Sequence, residues 1–377
     1  MRVVQRRVEA AFDPALLPTA DDLERVRFLS SHYRGAGLHP VRLVPLDVGA
    51  SAVAHADSGP PEEHGARTWL ALESMQVTGS FKVRGAMHAI ARRLELARPD
   101  APAPLVVVAA SAGNHGVGIA HAAKYLGVDA TVVVPRDAPR TKVDKIRNSG
   151  ARVVVSSSPG YDAAEREARQ LASERSGVFV SPYDDIDVLV GNGASLGFEI
   201  VRALGHVPSV VYCPIGGGGL ATGLACALRH ELGDARGAGE DASPRGMVVP
   251  VQSEASCAFA MSLERNRAVV ELEPQPTIAE GLEGGISERA FARARAVLDR
   301  VVVCEEREIE HALRWAARDL GLLIEGSAAV ALAPALSPES LLGTPTSGDT
   351  VVVLTGRNID VERLGRVLSQ DGWIGPP

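Results

Sequence analysis

Short apolar runs rich in valine alternate along the chain with segments whose apolar residues recur at helical spacing. From residue 105 onward the apolar runs lie at 106–108, 131–134, 153–155, 178–180, 209–212, 247–249, 301–303 and 351–354. Helical patterns separate them, for example at 119–126, 142–148 and 161–173. Short strands joined by helices are typical of parallel sheets that are covered on both faces. The pattern therefore predicts an α/β fold built from doubly wound open sheets.

Composition and charge limit the classes of function. The 377 residues suggest about two domains, and 46% of them are hydrophobic, which is ample for large cores. With 39 basic and 46 acidic residues the net charge is −7, and no long basic run indicates a nucleic-acid partner. The N-terminus lacks the apolar stretch of a signal peptide, and no run of ~18 uncharged apolar residues predicts a membrane span. We therefore expect a cytoplasmic protein with no membrane partner.

The cysteines have neither CxxC nor metal-finger spacing. They are Cys213, Cys226, Cys257 and Cys304. We expect reduced thiols, and we predict that Cys213 and Cys226, which lie in apolar runs, belong to the core. No metal site is predicted.

Lys82 lies in the segment SFKVRGA, residues 80–86, between a β-like run at 69–73 and a helix-compatible stretch at 86–90. A lysine at such a junction can reach the end of a sheet, where burial disfavours its charged form and makes it a nucleophilic amine. A lysine that forms a Schiff base needs this chemistry. The alternative is a solvated surface lysine, which this segment taken alone favours because most lysines are exposed.

The segment SAGNHG, residues 111–116, directly follows a predicted strand and opens a predicted helix. Backbone N–H groups at a helix start can bind a carboxylate, and ligands of open α/β sheets lie beyond the carboxyl ends of strands. A purely structural turn explains this segment equally well. Gly113, Gly116 and Gly118 do not follow the order of a dinucleotide-binding motif, so the indication of NAD is weak.

Four consecutive glycines, Gly216, Gly217, Gly218 and Gly219, separate another apolar run from a helical segment that includes Leu220. Such a backbone can curl until several N–H groups converge on one point, which makes a phosphate-binding cup at a helix N-terminus. No Gly-Lys-Ser/Thr follows, so an ATP-binding P-loop is disfavoured. The alternative is a floppy surface turn, and the position between two apolar elements argues against it.

Two polar positions nearer the C-terminus are ambiguous when each is considered alone. The segment TGRN, residues 355–358, follows an apolar run with a hydroxyl and a glycine, as a plain β-turn also would. Glu325 precedes an apolar helical segment, where a carboxylate more commonly stabilises the helix N-terminus than takes part in catalysis.

Together these segments resemble those of the serine/threonine dehydratases and serine racemase, which are pyridoxal-phosphate (PLP) enzymes of the tryptophan-synthase β fold, fold type II. The resemblance covers roughly residues 41–368, with its motifs in the family's order. The motifs are SFKVRGA at 80–86, SAGNHG at 111–116, GNGASLGFEI at 191–200, the four glycines, TIAEGL at 277–282 and TGRN at 355–358.

The resemblance implies a role for each motif. Lys82 resembles the lysine that binds PLP covalently and then removes the substrate α-proton, and Phe81 is expected to pack against the cofactor ring. The other implied cofactor contacts are Asn114 at the ring hydroxyl, Gly216, Gly217, Gly218, Gly219 and Leu220 at the phosphate, Thr355 at the pyridine nitrogen and Glu325 near the ring. The implied contacts of the amino-acid substrate's carboxylate are Ser111, Gly113, Asn114 and His115.

The implied reaction is the loss of water from a serine- or threonine-like β-hydroxy amino acid, giving a 2-oxo acid and ammonia. A neutral hydroxyl at Thr355 does not hold a proton on the pyridine nitrogen, so early loss of the β-leaving group is favoured. The resemblance also implies a large PLP-binding domain at 1–104 and 184–377, a small domain at 105–183, and a homodimer. No C-terminal regulatory domain is expected, because the chain ends soon after the last motif.

Several positions depart from the family pattern. Arg357 replaces a glycine and adds bulk and charge near the cofactor edge, which makes it a candidate for substrate contact. Gln252 and Ala258 stand roughly where a racemase-like metal site uses carboxylates. Ala112 stands where serine racemase has the serine that returns a proton, so we expect little racemase activity.

Two other functions are compatible with the sequence. A β-replacement synthase on the same fold would form a new bond in place of the lost group, but its relatives usually carry SGNTG where this chain has AGNHG at 112–116. The other is a PLP-binding or nucleotide-binding protein without turnover, and the intact Lys82 argues against it.

Overall fold

The computed structural model describes residues 1–5, 13–46, 67–97, 104–233, 245–337 and 348–369. Within these residues eleven strands form two sheets. The strands are β1 Arg2–Gln5, β2 Leu43–Pro45, β3 Thr68–Ala71, β4 Val106–Ala110, β5 Asp129–Val134, β6 Arg152–Val155, β7 Val178–Phe179, β8 Val210–Pro214, β9 Met247–Ser253, β10 Arg300–Cys304 and β11 Thr350–Val353. Each apolar run predicted from residue 105 onward overlaps one of them.

The larger sheet has the strand order β1-β10-β9-β8-β11-β3-β2. Its five central strands are parallel, whereas β1 and β2 are antiparallel to their neighbours and form the two edges. The smaller sheet has the order β6-β5-β4-β7 and is parallel throughout. The predicted α/β class is confirmed. The antiparallel edge strands were not predicted from the sequence.

Helices cover both faces of each sheet. Their bounds are α1 Ala20–Val26, α2 Leu29–His32, α3 Lys82–Leu96, α4 Asn114–Leu126, α5 Arg140–Asn148, α6 Tyr161–Glu174, α7 Ile186–Leu189, α8 Ser195–Leu204, α9 Gly219–Leu232, α10 Ala258–Arg265, α11 Glu288–Val297, α12 Glu306–Arg318, α13 Gly326–Leu332 and α14 Val361–Ser369. Successive side chains of β11 and of Leu354, the residue after it, enter different cores. Val351 and Val353 lie on one face, and Val352 and Leu354 lie on the other. Because both faces must be apolar, such a strand appears in sequence as an unbroken valine run.

The smaller sheet repeats this arrangement. Val107 and Ala109 of β4 join the core beneath α3 and α4, while Val108 and Ala110 join the core beneath α6. Helix α3 thus packs against the smaller sheet although it precedes β4 in the chain. The predicted domain bounds remain a prediction.

Two glycines let α3 approach the segment that leads into α8. This segment, Val190–Ala194, is a single π-helical turn. A Cβ atom at Gly191 would lie 2.7 Å from the Cα atom of Gly85, and one at Gly85 would lie 2.6 Å from the Asn192 side chain. Any larger side chain at either position would push apart the helix that begins with Lys82 and the element it packs against.

Candidate active site

The motifs predicted to carry chemistry follow the carboxyl ends of parallel strands. The strands β8, β11 and β3 are neighbours in the larger sheet, and the four glycines, Thr355 and the segment leading to Lys82 follow them. The SAGNHG turn follows β4 in the smaller sheet. This is the edge at which open α/β sheets bind ligands.

Lys82 is the first residue of α3, and the residues before it are tied to the end of β11. The N–H of Phe81 donates to the Thr355 carbonyl at 3.0 Å, and the N–H of Arg357 donates to the Gly79 carbonyl at 2.9 Å. Gly79 has a φ of +77°, which favours glycine at this turn. These backbone hydrogen bonds therefore bring the SFKVRGA segment, which contains Lys82, next to the TGRN segment, which contains Thr355. Two segments that belong to one site must lie this close.

Burial lowers the pKa of the Lys82 amine to about 8, and the nearby charge of Glu325 opposes this change. The Nζ atom lies 4.9 Å from the centroid of the Phe81 ring. A free amine is therefore accessible near neutral pH, which an ordinary lysine with a pKa near 10.5 does not offer. Lys82 has the electrostatic properties of a nucleophile and a base.

A buried ion network holds the first turn of α3. The Arg84 guanidinium is fully buried, with its Nε atom 2.7 Å from Glu73 and its Nη2 atom 2.8 Å from both Glu73 and Glu199. Glu199 also accepts the Val41 N–H at 2.8 Å. Removing one partner of such a network leaves an uncompensated buried charge, so the network fixes the orientation of α3 and of Lys82.

Asn114, Glu325 and Asn358 form a hydrogen-bonded cluster across the two sheets. The Asn114 Nδ2 atom donates to Glu325 at 2.9 and 3.1 Å, and the Asn358 Nδ2 atom donates to Asn114 Oδ1 at 2.5 Å. Burial raises the pKa of Glu325, while its bonds to Asn114 and to the Asn358 N–H oppose that effect. Asn358 lies in the TGRN motif but had no predicted role, because an asparagine after Gly-Arg is also typical of a plain turn.

The first three of the four glycines lie in the connection between β8 and α9, and Gly219 is the first residue of α9. Gly218 has a φ of +82° and is the N-cap of α9, and no side chain caps this helix. A Cβ atom at Gly217 would lie 2.2 Å from the Tyr183 ring, whereas one at Gly219 would meet no atom within 4 Å. The first N–H groups of α9 are thus free of a capping side chain, as an anion-binding helix start requires. Tyr183 was not found by sequence analysis, because it lies in an irregular segment without a motif.

The SAGNHG turn also ends at a helix start without a capping side chain. Gly113 is the N-cap of α4, and a Cβ atom there would meet nothing within 4 Å. The Ser111 hydroxyl accepts the Gly113 N–H at 3.0 Å, so Ser111 is used within the turn. His115 is 4% exposed and contacts the Val180 carbonyl through Nε2 at 3.2 Å.

Arg357 points toward the turn before Lys82. Its Nη1 atom donates to the Ser74 carbonyl at 2.6 Å. The Arg357 side chain therefore holds the segment at 73–75, and its role toward substrate remains a prediction.

Gln252 is 1% exposed, with its amide bonded to the Ile215 carbonyl and the Ala260 N–H.

Neither a membrane-spanning helix nor a metal cluster is found in the described part of the chain. No helix there combines the length and the apolar character that crossing a membrane requires. No three His, Cys, Asp or Glu side chains group there as metal ligands. Cys213 and Cys226 are buried, as predicted, and burial raises the pKa of Cys226 to about 12.

The sequence matches a family model described as "Pyridoxal-phosphate dependent enzyme" over residues 47–356. It is 34% identical to an L-threonine ammonia-lyase of Thermotoga maritima over 82% of this chain and 71% of that protein. It is 32% identical to the catabolic L-threonine dehydratase TdcB of Staphylococcus aureus over 80% of this chain and 81% of that protein.

The fold is similar to that of solved structures. A threonine deaminase of T.th. has a TM-score of 0.72 and 30% identity, covering 91% of this chain and 99% of that one. An aspartate racemase described as pyridoxal 5'-phosphate-dependent has a TM-score of 0.73 and 26% identity, covering 94% and 99%.

The buried lysine of lowered pKa and the uncapped start of α9 fit an enzyme whose cofactor carries an aldehyde and a phosphate. The chain belongs to the pyridoxal-phosphate-dependent enzyme family. The predictions of fold type II, of PLP as the cofactor and of a PLP-dependent lyase of the dehydratase type are confirmed.

The residues present fit PLP. Lys82 supplies a buried amine of lowered pKa for the aldehyde, and the uncapped start of α9 beside the open side of Gly219 suits its phosphate. The assignments of Phe81, Asn114, Leu220, Glu325 and Thr355 to individual atoms of the cofactor remain predictions.

Proposed function

We propose that this enzyme removes water from a small β-hydroxy amino acid of the serine or threonine type and releases a 2-oxo acid and ammonia. The observation that carries the proposal is the buried Lys82 amine, whose pKa is about 8. The Lys82 backbone packs against α4 at Gly118, and the preceding residue, Phe81, is hydrogen-bonded to Thr355. The relatives named for threonine ammonia-lyase and threonine dehydratase activity support the same reaction class.

PLP, when bound, delocalises the electron pair left on the substrate α-carbon. In the proposal, Lys82 takes the α-proton, because a pKa of about 8 leaves a substantial fraction of its amine free near that pH and the residue is held at the start of a helix. The Arg84 network keeps that helix in place without contacting the reacting atoms.

The start of α4 is the proposed site of the substrate carboxylate. The backbone N–H groups that follow Gly113 have no capping side chain, and the positive end of the helix dipole favours an anion there. Asn114 and His115 contribute these N–H groups, and Ser111 shapes the turn through its bond to Gly113. The proposal thus uses backbone donors and requires no cationic side chain for this carboxylate.

The proposal is tested by replacing Lys82 with alanine and assaying a panel of β-hydroxy amino acids for 2-oxo acid. We expect the purified wild-type enzyme to absorb near 410–420 nm and to release a 2-oxo acid, and the K82A variant to lose both signals while keeping its fold. Lys124 of α4 is exposed and gives a matched control in K124A. Appreciable ammonia release by K82A without added amine would refute the assignment. Consumption of an added thiol with formation of a new amino acid would instead support the β-replacement synthase.

The assembly and location remain proposals as well. We propose a cytoplasmic homodimer whose small-molecule substrate is an amino acid. Light scattering coupled to size exclusion gives the mass of the particle, and a value of one chain or of four would contradict the dimer. Fractionation of the native host tests the location.

A further inference from the structure

Asn358 contacts three separate parts of the site. Its Nδ2 atom donates to the Thr78 carbonyl at 3.0 Å, in the turn before α3, and to Asn114 Oδ1 at 2.5 Å, at the start of α4. Its backbone N–H donates to Glu325 at 3.2 Å, and its Oδ1 atom accepts a hydrogen bond from Lys145 of α5. The side chain of Asn358 therefore joins the larger sheet to two helices of the smaller one.

Two partners that cannot exchange their roles fix the direction of the Asn358 amide. A carbonyl oxygen only accepts hydrogen bonds, so the Nδ2 atom must face Thr78. A lysine ammonium only donates, so the Oδ1 atom must face Lys145. Both partners require the same orientation, and the group that Asn358 offers to Asn114 is therefore a donor.

This donor determines the direction of the Asn114 amide in turn. Asn114 presents its oxygen to Asn358 and its Nδ2 atom to Glu325, at 2.9 and 3.1 Å. Glu325 alone does not impose this direction, because burial raises the pKa of its carboxyl and a protonated carboxyl both donates and accepts. Asn358 is the partner of Asn114 whose role cannot change.

A glycine makes room for the Asn358 side chain. A Cβ atom at Gly79 would lie 2.5 Å from Asn358 Oδ1 and 3.3 Å from Asn358 Nδ2. The amide of Asn358 therefore lies directly against the turn before α3, and any larger residue at position 79 would displace it. The close packing holds the amide where it meets both Thr78 and Asn114.

We propose that Asn358 is a positioning residue, which fixes the direction of the Asn114 amide so that its nitrogen faces Glu325 and its oxygen does not. Asn114 is then a donor, and not an acceptor, in its predicted contact with the ring oxygen of PLP. The inference rests on the proposed function in one respect, which is this predicted contact between Asn114 and the cofactor.

Two substitutions separate the direction of the amide from its packing. In N358D the side chain keeps its shape and its contact with Lys145, but a carboxylate only accepts and so opposes the oxygens of Asn114 and Thr78. In N358A this opposition is absent, while the shape and the contact with Lys145 are lost. A purely structural role predicts that N358A is the more damaging change, and the positioning role predicts that N358D is.

The first measurement is the affinity for PLP of the full-length chain stripped of its cofactor, by fluorescence titration, with thermal melting to show that each variant is folded. We expect N358D to weaken PLP binding by roughly tenfold, because opposed acceptors lack their hydrogen bonds, and N358A to weaken it less. A folded N358D variant that binds PLP as tightly as wild type, or more tightly than N358A, would overturn the proposal.

The second measurement is a double-mutant cycle, which shows whether Asn358 acts through Asn114 or through Thr78. The N114A variant removes the amide but leaves the turn before α3 intact. We expect N358D and N358A each to weaken PLP binding less in the N114A background than in the wild-type background. Equal losses in the two backgrounds would refute the proposal, and the N358A arm gives this result even if N358D does not fold.

The third measurement is the absorbance of PLP bound at saturation to wild type and to N358D. A donor at the ring oxygen favours its ionised form, so turning the Asn114 amide should shift absorbance away from the band at about 410–420 nm toward shorter wavelength. An unchanged spectrum in N358D would contradict the proposal. None of these measurements needs turnover, so failure of the lyase assay and failure of this inference are separate results.

Discussion

Thr355 follows the end of β11, is 2% exposed, and receives the N–H of Phe81, the residue before Lys82. In the predicted contact with the pyridine nitrogen, the side chain at this position determines whether a neutral hydroxyl or a carboxylate faces the cofactor. A carboxylate would hold a proton on the pyridine nitrogen, since an opposite charge favours the protonated base.

We therefore expect T355D to slow elimination by roughly tenfold or more, equivalent to about 1.4 kcal/mol or more of activation free energy. The control is T355S, which keeps a neutral hydroxyl and should stay close to wild type. Steady-state release of 2-oxo acid and the absorbance of the bound cofactor are the measurements. Unchanged spectra and kinetics in T355D would show that the side chain does not contact the ring.

Ala112 lies in the turn before α4, where the expected racemase acid is missing. Ser111, its neighbour, accepts the Gly113 N–H through its hydroxyl oxygen at 3.0 Å, which holds that hydroxyl within the turn. We expect wild type to produce little D-enantiomer during turnover and A112S to produce more. Chiral chromatography of the remaining substrate measures both, with A110S as a control inside β4. D-enantiomer formed by wild type at a rate comparable to 2-oxo acid would contradict this prediction.

At the scale of secondary-structure elements, the start of α9 depends on how closely Tyr183 approaches Gly217. A Cβ atom at Gly217 would lie 2.2 Å from the Tyr183 ring, so alanine there must displace the ring or the loop. Overpacking of this kind costs about 1–3 kcal/mol. We expect G217A to bind PLP more weakly and to melt at lower temperature.

Gly219 provides the matched control two residues later. It is the first residue of α9, but a Cβ atom there meets no protein atom within 4 Å and its φ is not in the left-handed region. G219A should therefore keep the stability of the cofactor-free protein. Fluorescence titration with PLP and thermal melting distinguish the two variants. Equal losses of stability in both would mean that the approach of Tyr183 does not set the shape of the cup.

The elements that sequence predicted best are those whose side chains are buried on both faces. Valine runs such as Val106–Ala110 and Val301 to Val303 can be read directly as strands because each position is apolar. The edge strand Arg2–Gln5 escaped prediction, because its burial is slight and its four residues pair only with β10. The sites at strand ends were predictable from their glycines, since a backbone that approaches an anion needs them.

Contacts between distant side chains were not predictable. Arg84, Glu73 and Glu199 form a buried ion network, but in sequence each looks like an ordinary surface charge. Likewise, nothing local distinguishes His115 as a residue with one bonded and one unbonded ring nitrogen. Such features arise only when elements pack together.

At the scale of the whole molecule, α5 of the smaller sheet contacts residues that belong to the larger one. Lys142 donates to Glu280 at 2.7 Å, and Glu280 also pairs with Arg363 of α14. Lys145 bonds to the Asn358 side chain, which joins the Asn114 cluster. The two sheets are therefore linked by charged contacts beside the proposed active site.

The link through Lys142 should help to hold the two sheets together around substrate, and the K142M variant tests it. Lys142 and Glu280 are 33% and 41% exposed, so solvent and salt screen their attraction, and such pairs contribute about 0.2–1 kcal/mol. We expect K142M to raise KM by roughly two- to fivefold at low salt with little change in kcat, and this difference should shrink at high salt. R363M is the matched control, because it removes the second partner of Glu280 but keeps the pair between the sheets. A salt-independent effect in K142M, or an equal effect in R363M, would mean that the Lys142 pair does not hold the sheets together during catalysis.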